Sequence, residues 1–227
     1  DLSSRRETRA RRQRAALMRT RVPLAGNRAF RPVPGTGLSA RTSLPGRSLP
    51  AHDHGSLRAR ARTGAVMSYM NYGIKPDIVS MAKGLGGGMP IGAICATAEV
   101  AKAFTAGSHG TTFGGHPVSC AAALAEVNEL LDRDLAGNAK KVGDYFASKL
   151  EKLPHVKEVR HQGLLVGVEF DDTIGGVDVK HGCLDRKLLI TAIGAHIIRM
   201  IPPLIVTEEE CDKAVAIIED TIKSLEK

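Results

Sequence analysis

Lys83 stands at the end of an apolar, strand-like run, Pro76-Asp77-Ile78-Val79-Ser80-Met81-Ala82, and is followed at once by Gly84-Leu85-Gly86-Gly87-Gly88. A strand that ends on a lysine presents its amine at the rim of a sheet, and the glycines after it leave room for a flat ligand. The ordinary fate of a lysine is a solvated surface charge. Here the apolar approach predicts burial at the strand end, and a desolvated amine can attack a carbonyl to form a Schiff base. The glycine run is not a dinucleotide fingerprint, because Met89 occupies the place of the third glycine. Nor is it a Walker loop, whose lysine follows the glycines. Nucleotide binding is disfavoured.

A second polar, glycine-rich stretch, Gly107-Ser108-His109-Gly110-Thr111-Thr112-Phe113-Gly114-Gly115-His116-Pro117, follows after about thirty residues. Backbone amides, two hydroxyls and a helix start just past Pro117 suit an anion such as a phosphate, although an ordinary turn before a helix would read the same way. Together the two loops point to pyridoxal-phosphate (PLP) chemistry. A third charge lies inside a hydrophobic strand, Arg199 in Ile197-Ile198-Arg199-Met200-Ile201-Pro202-Pro203. It either pairs with a structural carboxylate or waits for the carboxylate of a substrate, which a guanidinium binds bidentately.

The elements that must position these residues begin near Arg62. Strands are expected over 77–82, as a buried strand, and over 91–97. Pro117 suits the first turn of a helix that carries Cys120, Leu124, Val127 and Leu131 on its apolar face. An amphipathic helix over 138–152 uses Val142, Tyr145, Phe146 and Leu150 and stops at Pro154. Strand-like Val156–His161 and Leu164–Phe170, a helix near Val177–Lys187, and strand-like Leu188–Ala192 and His196–Ile201 come next. Thr207 and Glu210 make a capping box for a last helix with Cys211, Ala214, Val215, Ile218, Ile222 and Leu225 on its apolar face. Alternation of strands and helices gives an α/β fold.

Charge separates this part from what precedes it. The net charge of +8 arises before Thr63, where there are fifteen Arg, no Lys and only three acids. From Thr63 onward thirteen Lys and four Arg face twenty-one acids. Residues 1–61 lack apolar periodicity, apart from a short polar helix that could form at Glu7–Met18, so disorder and mobility are expected there. An organellar transit peptide, a basic arm for nucleic acid, and a stretch read in the wrong frame of a GC-rich gene are the three readings of this leader. It has no aromatic interleaving and no nucleic-acid module, so nucleic acid is not an expected partner. No apolar run approaches the roughly 18 residues of a membrane span, and a secretory signal is not expected either. Cys95, Cys120, Cys183 and Cys211 stand far apart and read as buried, reduced thiols of a cytoplasmic protein rather than as metal ligands or disulfides.

From Arg62 to Lys227 the chain resembles the C-terminal part of the class III, fold-type I PLP-dependent aminotransferases, most closely the acetylornithine aminotransferases. The segments that carry the resemblance are Arg62-Thr63-Gly64, Tyr72-Gly73-Ile74-Lys75-Pro76-Asp77, Ala82–Gly88, Gly107–Pro117, Gly163-Leu164-Leu165-Val166-Gly167 and Arg199–Leu204. The resemblance implies part of the large PLP-binding domain over 62–135 and the small C-terminal α/β domain over 136–227. It implies Lys83 as the lysine that bonds covalently to PLP and Thr112 as a hydroxyl on the cofactor phosphate, reaching across a homodimer interface. Thr111 would touch the substrate, and Arg199 would grip the α-carboxylate of an amino acid or 2-oxo acid. His116 stands where the family more often has Asn. The implied reaction converts N-acetylornithine and 2-oxoglutarate to the semialdehyde and glutamate, a step of arginine biosynthesis. Ornithine, succinylornithine and 4-aminobutyrate are alternative donors, and a non-catalytic fragment with a basic arm is an alternative of another class. The family's aspartate for the pyridine nitrogen would align with His54, and the phosphate cup and stacking aromatic have no counterpart in 1–61. A frame error or truncated gene, and little or no activity of the chain by itself, are therefore expected.

Overall fold

The structure, a computed structural model, describes residues 61–226 and the backbone of 43–44 and 47–48. Ser43–Leu44 (β1) pairs antiparallel with Arg47–Ser48 (β2). The remaining expectations for 1–60, disorder and the helix near Glu7–Met18 included, lie outside the described residues. Ala61, taken with the leader in the sequence, is fully buried, and its N–H donates to Val66 O at 3.2 Å.

The chain divides into two compact units, one holding Lys75–Glu129 and the other Ala59–Ile74 with Leu130–Lys227. In the first, Ile78–Met81 (β3) pairs antiparallel with Ala93–Ala96 (β4), Ser80 opposite Ile94. Thr97 caps the short helix Ala98–Ala101 (α1), accepting from Val100 N. The 16-residue helix Pro117–Asp132 (α2) begins at its proline, as expected. β3 is not the fully buried strand expected: Ile78 is 47% exposed and Ile94, on the same face, 60%. Among the described residues β3 and β4 pair only with each other, and the cover lies on the other face, where Met81 is buried and Val79, Ala93 and Cys95 are half-buried. The apolar stripe of α2 departs similarly. Leu131 is buried, but Cys120 and Leu124 face outward.

The second unit is a four-stranded antiparallel sheet, order β5-β6-β8-β7, built from Val156–Gln162 (β5), Leu165–Phe170 (β6), Thr191–Ile193 (β7) and Ile197–Met200 (β8). Leu135–Leu150 (α3), Gly176–Asp185 (α4) and Glu208–Leu225 (α5) pack on it and on one another. Along β6 the buried residues are Val166, Val168 and Phe170, the period of two of a sheet with one covered face. They meet Ile198 and Met200 of β8, Val142, Phe146 and Leu150 of α3, and Ile218 and Ile222 of α5. Each such fully buried aliphatic contributes about 1.5–3 kcal/mol.

Local chemistry sets the ends. Asp134 caps α3, and Thr207 with Glu210 forms the expected capping box of α5. The expected strand Leu188–Ala192 pairs only from Thr191. Lys187 takes a left-handed φ of 68°, and Leu188 N donates to Cys183 O at 2.8 Å, closing α4 and delaying the strand. The cysteines are all free but not all buried. Burial pushes Cys211 up to about 11, Cys183 is also buried, Cys95 is half-buried and Cys120 exposed. No described helix is long and apolar enough to cross a membrane.

Candidate functional site

Lys83 lies two residues past the end of β3 and opens a tight turn over Lys83–Gly86. Its φ of 57° is left-handed, a conformation that costs a non-glycine residue about 1–2 kcal/mol. Such strain gathers where a side chain is aimed for a task. The glycines that follow are packed as well as flexible: a side chain on Gly86 would meet Ile91 Cγ2 at 2.9 Å, and one on Gly87 would approach Glu126 of α2 at 3.6 Å. The turn is thus seated against its own unit while the lysine projects from it. The expected burial of Lys83 is not found, because the side chain is exposed. The hairpin supplies its apolar approach, and no further described strand pairs with it to cover the amine.

Thr111 and Thr112 lie in the exposed loop before α2. A side chain on Gly114 would fall 2.1 Å from Thr111 Cγ2, so the loop closes tightly on that threonine. His116 N donates to Phe113 O at 3.2 Å, and Cys120 N donates to His116 O at 2.9 Å, placing His116 just outside the first turn of α2. Lys83, Thr111 and Thr112 therefore share one unit, whereas Arg199 belongs to the other.

Arg199 occupies β8, a central strand, opposite Gly167 of β6 and Thr191 of β7. Paired residues share a face, and the burial of Ile198 and Met200 assigns Arg199 to the face away from the helices. Gly167 puts no side chain on that face, and a Cβ there would meet nothing nearer than Arg160 O at 3.8 Å. Next along β6 on that face is Glu169, the acid best placed to be a structural partner. It is already engaged: Arg160 Nη2 lies 2.8 Å and Lys157 Nζ 3.3 Å from its carboxylate, and these hydrogen bonds hold it below the usual carboxylate range. Arg199 makes no described ion pair. Its Nε is a buried side-chain atom with no hydrogen-bond partner, a state that costs about 1–3 kcal/mol or more for a charged group. Of the two readings open in the sequence, the structural pair is absent among the described residues.

Two contributors carried no assigned role in the sequence. Arg62 Nη1 donates to Pro202 O, and its own carbonyl accepts from Leu164 N at 2.8 Å. It therefore ties the end of the Arg199 strand to the β5–β6 turn. Gly167 was visible only as part of a motif, since its place beside Arg199 depends on strand register. Among the described residues no group of His, Cys, Asp or Glu could hold a metal ion. His54 lies outside the described residues.

An orphaned, buried guanidinium N–H fits a carboxylate ligand, and an amine held on a strained turn just past a strand fits a carbonyl-bearing cofactor. Comparison with known proteins gives the family. Residues 59–222 match the family model for class III aminotransferases. The acetylornithine aminotransferase of Methanothermobacter thermautotrophicus is 40% identical over 168 residues, 72% of this chain and 43% of that protein. That of Caldanaerobacter subterraneus subsp. tengcongensis is 43% identical over 169 residues, covering 72% and 42%. Among solved structures, the acetylornithine aminotransferase of Elizabethkingia anophelis superposes with a TM-score of 0.67 at 34% identity, over 74% of this chain and 44% of that one. An ornithine aminotransferase of Toxoplasma gondii, described with partial occupancy of PLP at its active site, gives 0.67 at 35% identity over 73% and 41%. The chain spans less than half the length of these relatives. With the family model matching through most of its length, it belongs to the class III aminotransferases.

Proposed function

We propose that this chain carries the lysine and carboxylate-binding arginine of a PLP-dependent transaminase of the acetylornithine type. The observation that supports it most is Arg199: a buried guanidinium N–H without a partner, beside a glycine, with the neighbouring carboxylate taken by other cations. Ornithine and the other ω-amino donors remain the second reading, favoured by the ornithine aminotransferase among the structural neighbours. On this reading 62–135 belongs to the large cofactor-binding domain and 136–227 to the small domain. The intact enzyme is then a cytoplasmic homodimer that takes an amino acid and a 2-oxo acid and does not act on nucleic acid.

PLP, when bound, would withdraw electrons from the carbon that bears the reacting amine, the δ-carbon of N-acetylornithine and the α-carbon of glutamate. The rest falls to side chains. Lys83 Nζ would hold the cofactor covalently and serve as the base that moves the proton of that carbon. Thr112 would donate its hydroxyl to the cofactor phosphate across the dimer. Arg199 would bind the α-carboxylate of glutamate or 2-oxoglutarate through two N–H groups, fixing that substrate's Cα–H bond toward the lysine, while Thr111 would line the substrate's path.

The test is to incubate the full chain with PLP, reduce with borohydride and map the modified lysines. Label concentrated at Lys83 is expected; label spread evenly over the exposed lysines would refute the assignment. Glutamate formation from acetylornithine and 2-oxoglutarate at saturating PLP is expected to stay near a Lys83→Ala baseline. Robust turnover lost only in that variant would show that residues 1–61 complete the site.

A further inference from the structure

On the face of the four-stranded sheet turned away from the helices, strand register sets two rows. One runs Arg160, Gly167, Arg199, Thr191 across β5, β6, β8 and β7. Two arginines therefore stand on either side of a residue without a side chain. The next row sets Glu158 directly opposite Glu169, with Ile197 beyond. Like charges directly opposite on a sheet repel, so this pair needs cations. Arg160 bridges it, donating through Nη1 to Glu158 and through Nη2 to Glu169 at 2.8 Å, and Lys157 Nζ adds a contact to Glu169 at 3.3 Å. Glu169 is also a diagonal neighbour of Arg199, a relation of roughly 7–8 Å that long side chains can span. One carboxylate thus has an arginine diagonal to it on each flank, and it takes the one on β5. The Nε of the other, Arg199, is left buried without a partner.

Stability explains this pairing poorly. The side chains of Arg160 and Lys157 are 50% and 62% exposed, and exposed ion pairs contribute little. What the two cations do decide is where the Glu169 carboxylate points. We infer that Arg160, helped by Lys157, is a positioning residue for the Arg199 site: it holds Glu169 on the β5 side and so keeps the Arg199 guanidinium open to a carboxylate from outside the chain. With both cations removed, Glu169 would face the like charge of Glu158 on one side and the Arg199 guanidinium on the other, and it would turn to the arginine. An internal ion pair would then compete with any ligand at Arg199. The inference deepens the transaminase reading, on which it rests for the identity of the ligand, and it adds a residue that acts through Glu169 rather than by touching the ligand.

The test compares the full chain with its Lys157→Met/Arg160→Met variant by urea unfolding and by NMR of the arginine Nε–H groups. In the unmodified chain Glu169→Gln and Arg199→Met should be additive, with a coupling under about twofold in the unfolding constant. Glu169→Gln should also leave the Arg199 Nε–H resonance in place. In the Lys157→Met/Arg160→Met background the same two substitutions should couple by about tenfold or more, and exchange of the Arg199 Nε–H with water should slow. Arg160→Lys, which keeps a cation on Glu169, should behave as the unmodified chain. The ligand probe is 2-oxoglutarate, which should shift the Arg199 Nε–H resonance. Its apparent affinity should be about tenfold weaker in Lys157→Met/Arg160→Met and restored when Glu169→Gln is added, a recovery that a merely structural role would not give. If Lys157→Met/Arg160→Met does not fold, adding Glu158→Gln removes the facing carboxylates and serves the same comparison. Coupling of Glu169 to Arg199 already present in the unmodified chain, no coupling once the cations are gone, or a measurable affinity for 2-oxoglutarate indifferent to them would each overturn the inference. Couplings as expected with no response to 2-oxoglutarate in any variant would count against the transaminase reading and leave the positioning of Glu169 standing.

Discussion

Replacing Gly163 by Ala tests how the segment carrying Arg62 is held against the small-domain sheet. Gly163 lies in the β5–β6 turn at φ +57°, and a Cβ there would fall 2.3 Å from Arg62 O, 2.8 Å from Gly64 N and 2.9 Å from Thr63 C. All three are backbone atoms, so no side chain can swing aside. The left-handed conformation costs alanine about 1–2 kcal/mol, and forcing the backbones apart costs about 1–3 more. Stretching the Leu164 N–H to Arg62 O bond adds about 1, while the stiffer unfolded chain returns about 0.4–1. The net expectation is a loss of about 2–5 kcal/mol. With a urea slope of about 2 kcal/mol/M, the middle of the usual range, the midpoint followed by circular dichroism should fall by roughly 1–2.5 M. Gly143→Ala makes a graded comparison. Its Cβ would meet Gly163 O at 2.1 Å, but the site is helical, where alanine gains about 0.8–1 kcal/mol. It should still destabilise, by about 1–2 kcal/mol. A Gly163→Ala loss under about 0.5 kcal/mol, or a gain from Gly143→Ala, would refute the close stacking of α3, the turn and Arg62–Gly64.

Arg199→Met should leave the urea midpoint unchanged or raised, since the buried Nε has no partner to lose; a loss of about 3–5 kcal/mol would reveal a structural ion pair. In an intact homologous enzyme, alanine at the aligned arginine should weaken amino acid and oxo acid binding by about 2–4 kcal/mol in kcat/KM while PLP retention holds. Lys83→Gly should keep or raise thermal stability, by up to about 1 kcal/mol, because it relieves a left-handed φ; a larger loss would make Lys83 a structural residue. His155 faces Asp171 Oδ2 at 2.9 Å through Nδ1 and Glu226 Oε1 at 2.9 Å through Nε2, so its hydrogen bond to Asp171, with that to Glu226, raises its pKa above 6.5. That stabilisation is complete below pH 6.5 and lost as pH rises through the folded value. Asp171, held at about 2 by Thr173 and His155, contributes fully above 3.8 and loses its share as pH falls toward 2. His155→Asn should flatten the alkaline fall of the thermal midpoint against pH, and an unchanged profile would show that the imidazole carries no such linkage.

What could be read from the sequence was what neighbours in the chain decide. The Thr207–Glu210 box and the proline that opens α2 depend on residues within a turn of one another, and both are in place. The core side of β6 follows from its alternation. Periodicity was misleading where it had to stand for cover. It identified Cys120, Leu124 and the β3 strand as apolar and Lys83 as the end of an apolar run, and from that it implied burial. Apolar spacing shows which face gains from being covered; whether protein covers it depends on elements distant in sequence. Hence Leu124 at 54% exposure and Ile94 at 60% are departures of one kind, and both fall in the unit that holds Lys83. Arg199 shows the complementary limit. Its oddness was visible from the hydrophobic residues around it, but choosing between an internal and an external carboxylate required the strand register. The register puts Gly167 beside Arg199 and leaves Glu169 with Arg160 and Lys157. An arginine whose Nε is buried without a partner, flanked by a glycine and with Glu169 held by other cations, is poor structural material, and a ligand carboxylate is a partner that would offset that cost.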